Sequence, residues 1–179
     1  MRKHVKLFVM LTALALTVSF LAGVACAAVD KAAADKAVKI ASDCAKKLDG
    51  AWGDQHAKLI ESNKGGDFAD YESMQAAVND LLEGSGAVYI YVLYPHGMTD
   101  TNVRHFIITV DGSDDPDDYG TGNEGEEAFE TAWKGTPTAG DEAWEDEDGD
   151  AGLLLSAYAP IHDSKGKVVA ILGVDIPAK

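Results

Sequence analysis

Two apolar runs close to the C-terminus limit the fold more than any other feature of the chain. Residues 153–161 and 168–176 are rich in Leu, Ile, Val and Ala, and a short polar segment that contains Gly166 separates them. Runs of this kind on either side of a short Gly-containing turn are typical of a β-hairpin. We therefore predict two adjacent antiparallel strands at this end of the chain.

The N-terminal half shows helical periodicity instead. Between residues 30 and 62, apolar side chains recur at intervals of three, four and seven positions and form one stripe. The stripe consists of Val38, Ala41, Ala45, Leu48, Trp52 and Leu59. Residues 71–83 repeat the pattern, so we predict one long helix over 30–62 and a second helix over 71–83.

The remaining segments are shorter. We predict strands over 87–94 and 104–110, a turn at 95–97, a loop over 111–125, a short helix over 126–134 and a weak strand over 138–144. Helices and strands do not alternate regularly, which favours an α+β domain over a doubly wound parallel sheet. We expect an antiparallel sheet of about five strands with helices packed against it.

Three segments of the predicted hairpin carry a family resemblance. They are Ser-Ala-Tyr-Ala-Pro-Ile at 156–161, Asp-Ser-Lys-Gly-Lys-Val at 163–168 and Gly-Val-Asp-Ile at 173–176. Together they closely resemble the end of the extracytoplasmic, PAS-like sensor domains called Cache or PDC domains. The resemblance implies the single Cache/PDC sensor fold, in which a PAS-like antiparallel sheet with a long N-terminal helix carries a small-molecule pocket.

The N-terminal segment predicts export. Three basic residues precede an almost wholly apolar stretch at 7–24, and a small-x-small sequence surrounds Cys26. This order is typical of a secretory signal peptide, so we predict a signal peptide over 1–27 and a sensor domain over 28–179. The expected location is periplasmic or extracellular. An uncleaved membrane anchor and lipidation at Cys26 remain alternatives, since the apolar stretch is just long enough to span a bilayer.

The charge of the chain narrows its partners. With 15 basic and 30 acidic residues, the formal net charge is −15, and a surface this negative repels nucleic acids and favours cationic ligands. If Cys26 is removed with the signal peptide, Cys44 has no partner for a disulfide. Its position on the apolar stripe predicts a buried thiol rather than a nucleophile.

Several motifs in the sequence do not favour dinucleotide binding, an EF-hand calcium site or catalysis. Residues 120–125 match G-x-G-x-x-G, but carboxylates precede and follow the match, whereas a dinucleotide site needs an apolar strand before it and a helix N-terminus after it. The acidic turns at 145–150 and 111–118 lack EF-hand spacing; looser calcium binding there stays an alternative. No catalytic constellation is found, so we expect neither an enzyme nor a cofactor.

Candidate ligand-binding residues follow from the strand period of two. Asp175 ends an apolar face of the last strand, Ser156 shares a face with Tyr158 on the preceding one, and Tyr89 shares a face with Tyr91 on the first. Aromatic walls with a few polar groups are typical of small-ligand pockets, although ordinary sheet packing also explains the tyrosines. The resemblance implies that Asp175 contacts a ligand's amino group, as the matching Asp does in amino-acid-sensing members.

Four further candidates lie outside these strand faces. Arg104 could clamp an organic carboxylate or simply form a surface salt bridge. Asp111 begins the loop that we expect to cover the pocket. Trp133 and Trp144 could cage a cation or serve as core and lid.

These observations lead to three hypotheses. The first is an exported sensor-type domain that binds an amine, amino acid or organic acid and signals, if at all, through a membrane receptor or kinase in trans. The second is a non-catalytic envelope interaction module that dimerises through the helix over 30–62, whose stripe is close to heptad spacing. The third is a calcium-dependent surface protein.

Overall fold

The computed structural model describes residues 29–98, 104–113, 116–123, 126–146 and 151–178. The apolar N-terminal stretch lies outside these ranges, so the signal peptide stays a prediction. None of the helices within the described ranges is long and apolar enough to cross a membrane.

The described residues form four α-helices and seven strands. The helices are α1 (Lys31–Leu48), α2 (Ala51–Ser62), α3 (Tyr71–Leu82) and α4 (Glu127–Trp133). The strands are β1 (Tyr89–Met98), β2 (Arg104–Asp111), β3 (Gly122–Asn123), β4 (Thr138–Ala139), β5 (Trp144–Glu145), β6 (Leu153–His162) and β7 (Val168–Pro177). The predicted α+β class is confirmed, with three two-residue strands beyond the four long ones.

One antiparallel sheet contains all seven strands. Its order is β3-β2-β1-β7-β6-β4, and β5 also pairs with β6. The predicted hairpin is confirmed as β6 and β7, which pair along almost their whole length. Because β7 lies between β1 and β6, both of its edges are hydrogen-bonded, and all of its residues but the two end ones are buried.

Helices cover the two faces of the sheet unequally. On one face, α1, α2 and α3 pack against the four long strands and enclose the larger apolar core, which includes Leu172 and Val174 of β7. On the other face, α4 brings Phe129 against a smaller cluster that includes Ile171 and Tyr158. Alternate residues of the same strands therefore enter two different environments.

The long helix predicted over 30–62 is interrupted. Gly50 has φ 77°, a left-handed conformation that cannot continue a right-handed helix, and it separates α1 from α2. Its amide donates to the carbonyl oxygen of His162 at 2.9 Å, so the break docks the helices on the end of β6. Gly53 lies so close to the same carbonyl that a Cβ there would be 2.3 Å from the oxygen. The interruption thus serves the contact with the hairpin.

The packing corrects the predicted turn and bears on the dimerisation hypothesis, which stays a prediction. The turn predicted at 95–97 belongs to β1, since Pro95 pairs with Phe106 and the register shifts before Met98. The stripe proposed for dimerisation is part of this chain's own core, because Ala41 and Leu59 are fully buried within it. That stripe is therefore occupied within the monomer.

Candidate functional site

Three neighbouring strands place the predicted site residues in adjacent rows. In the first row, Asp175 of β7 lies between Tyr89 of β1 and Ser156 of β6. In the second row, Gly173 lies between Tyr91 and Tyr158. The predicted faces of three separate strands thus meet on one side of the sheet, the side that α4 covers only in part.

These rows form the floor of a cavity of about 450 Å³. Its walls come from the sheet, from the segment after β2, and from the segment around β5. The lining residues are Tyr89, Tyr91, Ile108, Asp111, Ser113, Asp117, Asn123, Glu126, Trp144, Asp146, Ser156, Tyr158 and Asp175. The volume lies in the range of pockets that bind small organic molecules.

Gly173 gives Tyr91 room to lie across the floor. A Cβ on Gly173 would stand 2.3 Å from Cε2 of Tyr91, far inside van der Waals contact. Because the ring lies over the glycine, its hydroxyl reaches the next row and donates to Oδ1 of Asp175 at 3.3 Å. The glycine of the Gly-Val-Asp segment therefore positions the tyrosine that contacts the aspartate.

Asp175 is a buried carboxylate with a perturbed pKa. Only 3% of the residue is exposed. Desolvation raises the pKa to about 6 from an ordinary value of 3.8, while hydrogen bonds with Ser156 and Tyr91 lower it and the negative charges of Glu126 and Asp111 raise it. The carboxylate is thus ionised at neutral pH at a cost that a bound cation would offset.

Asp111 and Asp146 hold the loops that border the cavity. Asp111 accepts the backbone amide of Ser113 at 2.8 Å and that of Asp117 at 2.9 Å, which fixes the chain after β2. Asp146 accepts the hydroxyl of Tyr89 at 3.2 Å and the backbone amide of Ala151 at 3.2 Å. These two carboxylates therefore build the walls while adding negative charge to them.

Trp144 separates this cavity from a second acidic one. Its indole Nε1 donates to Oγ of Ser156 at 2.9 Å, and 40% of the residue is exposed. The second cavity, of about 360 Å³, shares Trp144, Ser156 and Glu126 with the first. Glu126 has a raised pKa because its carboxyl is partly desolvated and lies near Asp141.

Two predicted site residues lie elsewhere. Nε of Arg104 is 3.1 Å from Oε1 of Glu130 on α4, so this guanidinium forms an ion pair outside the cavity. Trp133 packs edge-on against Tyr94, with ring centroids 5.7 Å apart, and lines a separate cavity of about 130 Å³. The structure brings together Tyr89, Tyr91, Asp111, Trp144, Ser156, Tyr158 and Asp175.

Six lining residues were not among the predicted ones: Ile108, Ser113, Asp117, Asn123, Glu126 and Asp146. Ile108 shares a strand face with Phe106, and that signal was available in the sequence. The other five lie in or beside loops, where no periodicity indicates which side chains point inward. Acidic composition alone does not distinguish a wall from a solvated turn.

No group of three or more His, Cys, Asp or Glu side chains in the described ranges is arranged to hold a metal ion. Looser calcium binding at 111–118 or 145–150 stays an alternative, since residues 114–115 and 147–150 of those turns lie outside the described ranges.

Comparison with known proteins yields structural similarity at low identity. No family model and no curated protein matches the chain. The chain is similar to the periplasmic sensory domain of the Campylobacter jejuni chemoreceptor Tlp1, with 12% identity, 82% of this chain and 61% of that chain covered, and a TM-score of 0.41. It is also similar to the ligand-binding domain of the Campylobacter jejuni chemoreceptor Tlp3 in complex with 4-methylisoleucine (12% identity, 80% and 59% covered, TM-score 0.39).

A third similar structure is the A. aeolicus nlh2 GAF domain in an inactive state, with 12% identity, 79% of this chain and 83% of that chain covered, and a TM-score of 0.41. The chain spans about three-fifths of the length of the two chemoreceptor domains. The ligand chemistry of this chain has to be inferred from its own cavity.

Proposed function

We propose that the chain is an exported, non-catalytic domain that binds a small metabolite in the cavity over β1, β7 and β6. The observation that carries the proposal is the position of Asp175. Its ionised carboxylate is desolvated on the cavity floor, beside the hydroxyl of Tyr91 and between aromatic walls. An arrangement that leaves a charge poorly compensated is costly to folding, so a bound ligand is a physical reason for keeping it.

The absence of catalysis is part of the proposal. The described side chains that line the cavity include no His, Cys or Lys, and they therefore contain no Ser-His or Cys-His pair. His56, which is buried on α2, bonds to Thr109 at 2.9 Å outside this cavity. Binding without turnover is the simplest role for such walls.

The signalling step completes the proposal. If binding is reported to the cell, the report passes to a separate membrane receptor or kinase. The cavity lies on the sheet face that α4 covers in part, while α1 and α2 dock on the other face and on the end of the hairpin. A ligand that orders the cavity walls would change the surface that such a partner contacts.

A thermal midpoint screen tests the binding step. The chain is purified from the envelope of expressing cells and heated with amines, amino acids, organic acids, purines and divalent metals in turn. A ligand at about one hundred times its dissociation constant adds about 2.7 kcal/mol to the free energy of unfolding. We expect at least one organic class to raise the midpoint by several degrees.

Asp175→Asn provides the specificity control. It should abolish the midpoint shift, whereas Asp35→Asn, on the exposed side of α1, should leave the shift intact. A flat screen for every organic class, repeated with the chain in its native envelope, contradicts the proposed function.

A further inference from the structure

We infer that the cavity selects an organic amine cation that carries no carboxylate, in preference to the corresponding α-amino acid. This inference rests on the proposed function and names the ligand class for the same site. It follows from the acidic side chains that line the cavity, from the basic side chains that lie outside it, and from the backbone amides that already donate to the protein's own carboxylates.

The cavity walls are acidic. Among the described residues that line the cavity, five carry carboxylate side chains and none is Lys, Arg or His. The carboxylates belong to Asp111, Asp117, Glu126, Asp146 and Asp175. A carboxylate on the ligand would be desolvated among like charges, which is unfavourable, while an ammonium group would be attracted by all of them.

The positions of the basic residues favour the same ligand class. Arg104, the nearest candidate on the predicted face, is held by Glu130 of α4 outside the cavity. Between Phe106 and Ile161 the sequence contains one basic residue, Lys134, which is exposed at the C-terminal end of α4. The segments between the described ranges, 99–103, 114–115, 124–125 and 147–150, contain no Lys, Arg or His. Apart from the exposed Lys134, residues 107–160, which supply most of the cavity lining, therefore contain no basic side chain.

Backbone amides bind carboxylates in many sites that lack Arg. The amides of Ser113 and Asp117 donate to the carboxylate of Asp111. The amide of Ala151 donates to the carboxylate of Asp146. The protein's own carboxylates thus already occupy these wall amides, and a ligand carboxylate would have to displace them.

The cavity floor offers an amine a hydrogen-bond acceptor and aromatic surface. The carboxylate of Asp175 has hydrogen bonds with Tyr91 and Ser156, and a carboxylate can accept about four. The unused acceptor capacity lies on the cavity floor. Tyr91 and Tyr158 are the strand neighbours of Gly173 in the adjacent row. Both line the cavity and supply aromatic surface, which attracts an organic cation.

Matched pairs of ligands test the inference directly, because each pair differs only by a carboxylate. The probes are isopentylamine against L-leucine, phenethylamine against L-phenylalanine, and 1,4-diaminobutane against L-ornithine. Binding to the full chain is measured by titration calorimetry at pH 7.5. We expect the amine of at least one pair to bind at least tenfold more tightly than its amino acid, and Asp175→Asn to weaken that amine at least tenfold.

Equal or tighter binding of the amino acids would overturn the inference and leave the proposed function standing. Failure of every amine to bind also overturns it, and the panel of neutral and anionic metabolites then decides the proposed function separately. The wild-type comparison needs no variant, so the inference stays testable even if Asp175→Asn folds poorly. Asp35→Asn again serves as the matched control and should bind as the wild type does.

Discussion

Along β7 both faces of the sheet are buried, but the two faces are built for different tasks. On β7, Leu172 and Val174 face the core under α1–α3, while Gly173 and Asp175 face the cavity. All four are buried. Burial therefore does not separate structure from function here; the difference is that one face is filled by apolar neighbours and the other retains a charge and open space.

The comparison has a thermodynamic consequence. Apolar burial stabilises the folded state on the helix-covered face, while the desolvated carboxylate on the cavity face destabilises it at neutral pH. Substitutions on alternate residues of one strand should then have opposite profiles. Those on the core face should lower stability and spare affinity, whereas those on the cavity face should lower affinity, and removal of the charge of Asp175 should in addition raise stability at neutral pH.

The largest expected effect is on the core face. Leu172 is fully buried at the centre of the sheet, so Leu172→Ala removes apolar contacts and leaves a cavity. We expect a loss of about 4 kcal/mol in the free energy of unfolding. Urea denaturation measures the loss, and calorimetry on the remaining folded protein should find ligand affinity unchanged. A large change in affinity at full folding would mean that the two faces are not independent.

The next effect concerns pH and two buried ionisable groups. In the cavity, the pKa of Asp175 is raised to about 6. The protonated carboxyl therefore adds to the free energy of unfolding below about pH 4, and this contribution is lost as pH rises through 6. Outside the cavity, desolvation lowers the pKa of His56 from 6.5 to about 4. Its contribution is present above pH 6.5 and is lost as pH falls through 4. Each is worth about 3 kcal/mol, and the two oppose one another.

Asp175→Asn separates the two contributions. The variant should be more stable than the wild type by up to about 3 kcal/mol at pH 7.5, and the difference should vanish by about pH 4. Urea denaturation at pH 4, 5.5 and 7.5 measures it. Parallel pH profiles for both proteins would show that the carboxylate is not desolvated in the folded state. His56→Gln is the matched variant outside the cavity and should lessen the loss of stability in acid.

A smaller effect is expected at the glycine between the tyrosines. Gly173→Ala places a Cβ against the ring of Tyr91, so the ring must move into the cavity. We expect a loss of about 2 kcal/mol in stability and more than a tenfold loss in affinity. Ala170→Gly, on the core face of the same strand, is the control that should change stability without affinity. Unchanged affinity in Gly173→Ala would show that the position of Tyr91 does not matter.

The sequence determines the floor of the site better than its walls. Period-two alternation placed Tyr91, Tyr158 and Asp175 on the correct strand faces, because adjacent antiparallel strands align such faces automatically. The alternation does not say which strands are neighbours, so the position of β7 between β1 and β6 had to come from the structure. Local periodicity likewise gave no reason to expect the break at Gly50, which depends on a distant contact with β6.

The walls depend on interactions that no local pattern encodes. Arg104 lies on the predicted strand, but Glu130 of α4 pairs with it at the side of the cavity. Asp146 is one of many acids in its segment, and what brings it to the cavity is a long-range contact with the hydroxyl of Tyr89. Because acidic residues are abundant, many different long-range pairings are compatible with the sequence. The sequence therefore predicts an acidic surface, but it does not predict which carboxylates form the cavity walls.

The smallest expected effect concerns the hydrogen bond between Tyr91 and Asp175. Tyr91→Phe keeps the ring over Gly173 and removes the hydroxyl that donates to Oδ1 at 3.3 Å. That hydrogen bond lowers the pKa of Asp175, so its loss should raise the pKa further and weaken an ionised carboxylate as a partner. We expect a change of about 1 kcal/mol, or several-fold in amine affinity at pH 6, shrinking as pH rises.

Calorimetry at pH 6 and pH 8 checks this expectation, with Tyr89→Phe as the matched variant because the hydroxyl of Tyr89 donates to Asp146 instead. An equal loss of affinity at both pH values would assign the Tyr91 hydroxyl to direct ligand contact rather than to the ionisation of Asp175. If the ligand is an amine, the two roles of the Tyr91 hydroxyl differ in whether their effect on affinity depends on pH. A donor hydroxyl tunes the carboxylate through its proton, whereas a direct partner of the ammonium group must accept, and that acceptance does not depend on the charge of Asp175.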